Sequence, residues 1–196
     1  MPERLGLLGG TFDPPHLGHL HLALSAIEHL NLDRVVLIPA GRQPLKALVD
    51  SASIEHRIAM VHLLAGRDPQ LAVDPIETER DGLSFSIDTV RSYRAAHPAA
   101  ELTFLMGEDT AATLPHWREP VELSRLSRLM VMTRGIGEGM GGPLPEGVHL
   151  ERMSTRRIDI SATEIRARVR AEQSLRGFVT DDIAAYIAAN GLYRTT

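Results

Sequence analysis

Gly9-Gly10-Thr11-Phe12-Asp13-Pro14-Pro15-His16-Leu17-Gly18-His19 is the stretch that decides how this chain folds. A short apolar run over residues 5–8 precedes it and predicts a buried strand. Leu17, Leu20, Leu24 and Ile27 then recur at steps of three and four, which predicts a helix. The stretch is therefore a glycine-led turn from a strand into a helix. In open parallel sheets such a turn is where nucleotide phosphates bind.

Two features of this turn suit phosphate chemistry. Its glycines allow the backbone to approach a ligand closely. His16 and His19 project to similar sides at the start of the helix, and imidazoles beside free N–H groups can stabilise a developing phosphoryl charge. The turn is not a P-loop, because no Gly-Lys-Ser/Thr ending is present. The alternative is an ordinary strand–helix turn that carries two of the nine histidines by chance.

Strand-like and helix-like segments alternate along the rest of the chain. Strands are predicted over 34–38, 71–73, 101–106, 128–133 and 148–150, and helices over 53–64, 86–96, 109–114, 120–126, 161–171 and 180–189. This alternation predicts one domain over residues 1–196, a Rossmann-like, doubly wound parallel α/β sheet with helices on both faces and a helical C-terminal end. Ligands in such folds bind beyond the carboxyl ends of the strands. Residues 9–19, 39–46 and 107–117 all fall there.

Composition excludes several classes of protein. The net charge of −4 disfavours a nucleic-acid partner. No apolar run is long enough to cross a membrane, and the first residues lack the layout of a signal peptide. The absence of cysteine removes disulfides, thiol nucleophiles and cysteine–zinc sites. We expect a cytoplasmic protein with neither a nucleic-acid nor a membrane partner, and the sequence leaves open whether it forms a homo-oligomer.

Three single residues each have two interpretations, a role in ligand binding and an ordinary structural one. Lys46 is the single lysine among 21 basic residues, so it is either a retained flexible cation or a chance survivor in a loop. Asp109 follows a strand, where a carboxylate binds ribose hydroxyls, although helix caps also favour aspartate. Trp117 is the only tryptophan and lies in a polar stretch. It suits stacking on a heteroaromatic ligand or half-buried packing.

The run Ile160-Ser161-Ala162-Thr163-Glu164-Ile165-Arg166 is a second motif. Ser161 and Glu164 form a capping box, and a capped helix N-terminus also offers N–H groups to an anion. Arg166 is close enough to bind the same phosphate. Residues 137–142 match G-x-G-x-x-G, but prolines follow instead of a helix, so we predict a mobile loop over 135–147. The histidines lack partners for a protein-held metal.

Together these motifs resemble the nucleotidyltransferase superfamily, whose T/H-x-G-H signature matches His16-Leu17-Gly18-His19. More narrowly, the chain is similar to bacterial nicotinate-nucleotide adenylyltransferases. The matching stretches are 9–19, 44–46, 57, 80–89, 107–117, 160–166 and 186–193, in the family's order. Leu45 replaces a loop histidine, Ala162 a serine, Phe85 a tyrosine and Thr180 a proline.

The resemblance implies transfer of AMP from ATP to nicotinate mononucleotide, giving deamido-NAD and pyrophosphate, with Mg²⁺ carried on ATP. It implies that His16, His19, Lys46 and Arg166 act on the phosphates. Asp109 would hold ATP's ribose, Trp117 would stack on the pyridine, and backbone N–H groups near Phe85 would bind the carboxylate. The full set of implied binding residues is Gly9, Gly10, Thr11, Phe12, Phe85, Thr89, Gly107, Asp109, Trp117, Ile160, Ser161 and Thr163.

Two alternatives remain at this stage. The acceptor could be nicotinamide mononucleotide or phosphopantetheine, in another adenylyltransferase of the superfamily. The chain could also be a non-catalytic nucleotide-binding module, although the joint presence of His16, His19, Lys46 and Arg166 argues against that.

Overall fold

The computed structural model describes residues 1–42, 51–133, 144–156 and 158–194. Its strands are β1 (Arg4–Gly10), β2 (Arg34–Pro39), β3 (Leu71–Val73), β4 (Glu101–Gly107), β5 (Arg128–Thr133) and β6 (Leu150–Ser154). They form one sheet in the order β3-β2-β1-β4-β5-β6, and every neighbouring pair is parallel. The chain order reverses between β1 and β4, where doubly wound folds place their ligands.

The helices connect these strands. They are α1 (Leu17–Leu30), α2 (Ile54–Ala65), α3 (Ser86–Ala96), α4 (Glu108–Ala111), α5 (Pro120–Leu126), α6 (Ala162–Arg170) and α7 (Asp181–Ala189), with a 3₁₀ turn at Leu114–His116. Ser53, Ser161 and Thr180 cap α2, α6 and α7, because each hydroxyl accepts a backbone N–H of the first turn. Within the described ranges, no helix combines the length and apolar character needed to span a bilayer.

Both faces of the sheet carry an apolar core. Side chains alternate along each strand, so Leu8 packs with α1, α2, α6 and α7 on one face. Its neighbour Leu7 packs with α3 and α5 on the other. The prediction of a doubly wound parallel sheet with helices on both faces is confirmed.

Two predicted elements differ from the structure. The last strand runs over Leu150–Ser154, not 148–150, because it is an edge strand with mostly exposed polar side chains and lacks an apolar run. Val148 is buried but precedes it. The helix predicted over 109–114 is split into α4 and the 3₁₀ turn, in which Pro115 provides no N–H. The loop predicted over 135–147 lies mostly outside the described residues.

Candidate active site

A cavity of about 580 Å³ opens at the carboxyl ends of β1 and β4. The turn after β1, the start of α1, the start of α4 and the N-terminus of α6 line it. Most of the residues singled out from the sequence meet there: Gly9, Gly10, Thr11, Phe12, His16, His19, Gly107, Asp109, Ile160, Ser161, Thr163 and Arg166. Segments that are more than 140 residues apart in the chain thus share one cavity.

The two histidines of the first motif lie against each other. Their ring centroids are 3.7 Å apart. His19 Nδ1 accepts the backbone N–H of His16 at 3.2 Å, so the proton of a neutral His19 is on Nε2. His19 can therefore offer an Nε2–H donor to a ligand. A Cβ on Gly18 would lie 3.0 Å from the ring of His16. A side chain at Gly18 would therefore require the His16 ring to shift by a few tenths of an ångström.

Phe12 has an unusual backbone conformation in the turn. Its φ is +51°, a left-handed value that costs a residue with a side chain roughly 1–2 kcal/mol. Its ring is buried and contacts the ring of His19 edge-on at 4.8 Å. The turn is thus held in shape by packing, and the His19 ring is positioned by the same packing.

Arg57 is a buried residue that stabilises this turn by hydrogen bonds, although sequence reasoning gave it no role. It is only 1% exposed, and Nη1 donates to the carbonyls of Thr11 and Ala40 at 2.8 Å each. Burial lowers its pKa, but an arginine stays protonated in proteins. The sequence carried two signals for it: the match of residue 57 to the family pattern, and its place on the apolar stripe of α2 with Met60, Val61 and Leu64.

The N-terminus of α6 forms the opposite wall of the cavity. Ser161 Oγ accepts the N–H of Glu164 at 3.1 Å, as the capping box predicts. Arg166 Nη1 donates to the carbonyl of Asp13 at 2.7 Å, and Nη2 to Thr163 Oγ1 at 3.3 Å. The cap leaves this helix end beside the cavity, because Ser161, Ala162, Thr163 and Arg166 all belong to its lining.

The end of β4 contributes open space and a carboxylate. A Cβ built on Gly107 would meet nothing within 4 Å. Gly107 is the N-cap of α4, so Asp109 is not a capping residue. Asp109 is an exposed member of the first helical turn and borders the cavity. Its carboxylate is available to hydroxyl groups of a ligand.

Three of the singled-out residues lie outside the cavity lining, on the α3 side of the sheet. Trp117 is half-buried, contacts Phe104 edge-on at 5.8 Å, and donates its Nε1–H to Thr113 at 2.9 Å. Phe85 is the N-cap of α3, with the Arg118 guanidinium 5.0 Å from its ring centroid. Trp117 therefore has the packing contacts of the ordinary interpretation, while part of its surface stays accessible.

Thr89, the third of these residues, is fully buried. Its hydroxyl donates to Glu77 Oε1 at 2.8 Å and accepts from Arg80 Nη1 at 3.1 Å. Burial raises the pKa of the Glu77 carboxyl. The Thr89 side chain therefore holds the 77–89 segment together and has no surface to offer a ligand. Glu77 was missed because nothing in the sequence marks it as buried.

Gly41 is adjacent to this network. A Cβ there would lie 2.3 Å from the carbonyl oxygen of Glu77, so only glycine allows the two segments to approach. Ser84 Oγ donates to the same carbonyl at 3.2 Å. These contacts connect the end of β2 to the residues that precede α3.

Lys46 lies outside the described residues, so its role stays a prediction. Within the described ranges, no group of three or more His, Cys, Asp or Glu side chains could hold a metal ion.

Known proteins resemble this chain over nearly its whole length. The family model described as cytidylyltransferase-like matches residues 7–168. A protein of Gemmatimonas aurantiaca named probable nicotinate-nucleotide adenylyltransferase is 48% identical, over 97% of this chain and 92% of that protein. One of Albidiferax ferrireducens with the same name is 38% identical, over 98% and 99%. The structure of Plasmodium falciparum nicotinic acid mononucleotide adenylyltransferase complexed with NaAD superposes with a TM-score of 0.80 at 15% identity, covering 99% of this chain and 98% of that one. At that identity, the likeness concerns the fold.

Proposed function

Because the chain belongs to the nicotinate-nucleotide adenylyltransferase family of the cytidylyltransferase-like proteins, we propose that it transfers AMP from ATP to nicotinate mononucleotide. The products are deamido-NAD and pyrophosphate, a step of NAD biosynthesis. The observation that carries the proposal is the cavity at the β1/β4 switch point. It collects a histidine pair, an arginine, a helix N-terminus and a carboxylate around one space large enough for a nucleotide.

The 5′-phosphate of the mononucleotide attacks the α-phosphorus of ATP in line. One P–O bond forms, the bond to the bridging oxygen of the β-phosphate breaks, and pyrophosphate leaves. No protein nucleophile is required, because such transfers depend on positioning and on stabilisation of charge. His16 and His19 stabilise the charge that moves between phosphates, with His19 Nε2–H as donor.

The pyrophosphate end of ATP lies at α6 in this proposal. Arg166 offers paired donors that match phosphate oxygens, and the N–H groups behind Ser161 add the positive end of the helix dipole. Lys46, which the resemblance assigns to the phosphates, is a further phosphate-binding residue in this proposal. Asp109 binds the ribose hydroxyls, and the open space at Gly107 admits the sugar or base. Mg²⁺ arrives on the phosphates of ATP as part of the substrate.

The acceptor lies on the α3 side. The accessible part of Trp117 stacks on the pyridine ring. The first N–H groups of α3, next to Phe85, have no partner within the helix, so they are suited to the nicotinate carboxylate. Arg118 adds a positive charge near that point. Both substrates are small molecules. The cytoplasm is the compartment in this proposal, and the absence of cysteine is compatible with it.

A pyrophosphate-release assay with ATP and one acceptor at a time tests the proposal. Nicotinate mononucleotide, nicotinamide mononucleotide and phosphopantetheine are compared, and the product is identified by mass. We expect the highest kcat/KM with nicotinate mononucleotide and a product with the mass of deamido-NAD. A preference for phosphopantetheine would assign the chain to another reaction. Binding of ATP without turnover of any acceptor would make it a nucleotide-binding module.

A further inference from the structure

The buried residue Asp13, at the edge of the cavity, connects its own turn to three other segments of the chain. Oδ1 accepts the hydroxyl of Tyr193 at 2.7 Å and the backbone N–H of Ala52 at 3.0 Å. Oδ2 lies 3.8 Å from Arg166 Nη1, and the Asp13 carbonyl accepts that same Nη1 at 2.7 Å. Asp13 is only 4% exposed, so these donors replace the water that an ionised carboxylate would otherwise need.

Tyr193 reaches this point from the end of the chain. After α7, Gly191 adopts a φ of +61° and Leu192 donates its N–H to the Ile187 carbonyl at 3.1 Å, which turns the chain back toward the sheet. Tyr193 itself has a φ of +63° and is 8% exposed. Left-handed backbone is uncommon for a residue with a side chain, so the contacts of the ring and hydroxyl hold it there.

The same part of the chain contacts the first motif a second time. The Leu17 N–H, directly after His16, donates to the Phe178 carbonyl at 2.9 Å. The region around α7 therefore braces the His-x-Gly-His turn at both ends, at Asp13 through a side chain and at Leu17 through the backbone. Tyr193 is absent from the cavity lining, whereas Asp13, which accepts its hydroxyl, belongs to that lining.

Arg166 is the residue that this support positions. Nη1 is held at Asp13 and Nη2 at Thr163, which leaves the plane of the guanidinium little freedom. Burial, followed by the charge of Asp13, raises the pKa of the Tyr193 hydroxyl. The hydroxyl therefore stays protonated and remains a donor to Asp13. A Phe at 193 would remove that donor and leave the ring volume unchanged.

We propose that Tyr193 is a positioning residue for the adenylyl transfer: its hydroxyl fixes the Asp13 carboxylate, and Asp13 in turn holds the Arg166 guanidinium at the phosphate end of the cavity. The proposal rests on the function proposed above. It gives the last residues of the chain a part in the reaction although they do not contact the nucleotide.

Tyr193→Phe tests it, with Tyr186→Phe as the matched control. Tyr186 also belongs to the α7 region, and its hydroxyl bonds a side chain, His56 Nδ1, at 3.0 Å, away from the cavity lining. We expect Tyr193→Phe to lower kcat/KM for ATP about tenfold, the size typical of one lost hydrogen bond to a charged group. The KM for nicotinate mononucleotide should stay within about twofold, and Tyr186→Phe should leave both constants unchanged.

A double-mutant cycle with Arg166→Ala separates positioning from folding. If Tyr193 acts through Arg166, adding Tyr193→Phe to Arg166→Ala should change kcat/KM for ATP by less than about twofold. A purely structural Tyr193 would instead lower the melting temperature and leave kcat/KM per folded molecule unchanged in both backgrounds. That outcome, or an equal tenfold loss in both backgrounds, would overturn the proposal.

Asp13→Asn provides a second variant in case Tyr193→Phe does not fold. It keeps an acceptor oxygen and the shape of the side chain, but removes the charge that Arg166 faces. We expect it to lower kcat/KM for ATP as well, and wild-type efficiency in this variant would contradict the proposal equally. Failure of the proposed function is distinguishable, because wild-type protein would then release no pyrophosphate with nicotinate mononucleotide.

Discussion

The two halves of the candidate site are built in different ways, on opposite faces of the sheet. The half that we propose to bind ATP lies with α1 and α6. Its residues come from the motifs 9–19 and 160–166, together with Gly107 and Asp109 at the end of β4, and they meet around one cavity. The half that we propose to bind the acceptor lies with α3 and the 3₁₀ turn, where Phe85 and Trp117 pack on the other core. These two residues do not line the cavity; Trp117 contacts Phe104, and Phe85 contacts the Arg118 guanidinium.

This difference determines how each half should respond to substitution. In the ATP half, the side chains that we propose to contact the nucleotide border an open space and are supported by buried groups such as Arg57 and Asp13. In the acceptor half, the buried Glu77–Thr89 pair holds the segment that leads into α3. A change in the first half should therefore act mainly on turnover, whereas a change in the second should act on acceptor binding and on stability.

The largest effect is expected from His19→Ala. Loss of a donor that acts on the transition state typically costs about a hundredfold or more in kcat, while the KM for either substrate should change little. The measurement is steady-state pyrophosphate release. His29→Ala is the matched control, since His29 lies on the same helix, bonded to the Ser25 carbonyl at 2.8 Å and away from the cavity lining. A His19→Ala protein with near-normal turnover would remove this residue from the mechanism.

Lys46→Ala should give the next largest loss. A charged hydrogen bond to phosphate is worth about 1.5–3 kcal/mol, which corresponds to roughly a 10- to 150-fold fall in kcat/KM for ATP. Because Lys46 is the only lysine, acylation of the wild-type chain should inactivate it, and saturating ATP with mononucleotide should protect it. Acylation also modifies the α-amino group of the chain. Lys46→Arg is the control for that reaction, because acylation should leave the activity of this variant unchanged. Full activity after complete modification of Lys46 would support the chance-survivor interpretation.

The sequence predicted the ATP half better than the acceptor half for a physical reason. A turn between strand and helix, or a capped helix N-terminus, is encoded by neighbouring residues, so 9–19 and 160–166 were recognisable locally. Parallel-sheet topology then dictates that both motifs lie at one edge. Most strands and helices followed from periodicity in the same way. The exceptions are β6, because an edge strand needs no apolar run, and the helix predicted over 109–114, which is split into α4 and the 3₁₀ turn.

The support beneath the site could not be predicted in this way. The partners of Asp13 are 39, 153 and 180 residues away along the chain, and no local pattern encodes such contacts. Thr89 was assigned to substrate binding from its place in a family pattern, yet its hydroxyl is buried against Glu77. A motif shows that a residue type is needed, but not whether it faces the ligand or the core.

Trp117→Ala tests the acceptor half directly. Stacking of an aromatic side chain on a base is worth about 1–3 kcal/mol, so the KM for nicotinate mononucleotide should rise about tenfold and that for ATP much less. Trp117→Phe, which keeps a ring, should recover part of the loss. As the single tryptophan, Trp117 should also change fluorescence on titration with nicotinate mononucleotide but not with phosphopantetheine. A destabilised Trp117→Ala protein with unchanged mononucleotide KM would show that the indole is a packing residue only.

Glu77→Gln should have the smallest effect on the reaction and the clearest effect on the pH dependence of stability. The amide oxygen can still accept the Thr89 hydroxyl, so we expect the mononucleotide KM to rise only about threefold, at the low end for one weakened hydrogen bond. The KM for ATP should not change. Thermal unfolding of the variant and the wild-type chain at several pH values then reports on the carboxyl itself.

Burial raises the pKa of Glu77 above its ordinary value of 4.5, which fixes the sign of the stability effect. As pH rises past 4.5, the unfolded chain loses this proton first, and the folded chain holds it to a higher pH. Between the pKa of Glu77 in the unfolded chain and its higher pKa in the folded chain, the folded state binds more protons. The free energy of unfolding therefore falls as pH increases through this range. Gln cannot titrate, so the melting temperature of Glu77→Gln minus that of the wild type should increase as pH is raised above 4.5.

Glu79→Gln, which alters an exposed carboxylate two residues away, should give a difference that does not follow this course. If the Glu77→Gln difference is also flat, the Glu77 carboxyl titrates as it would in water, and the acceptor half does not depend on a buried acid.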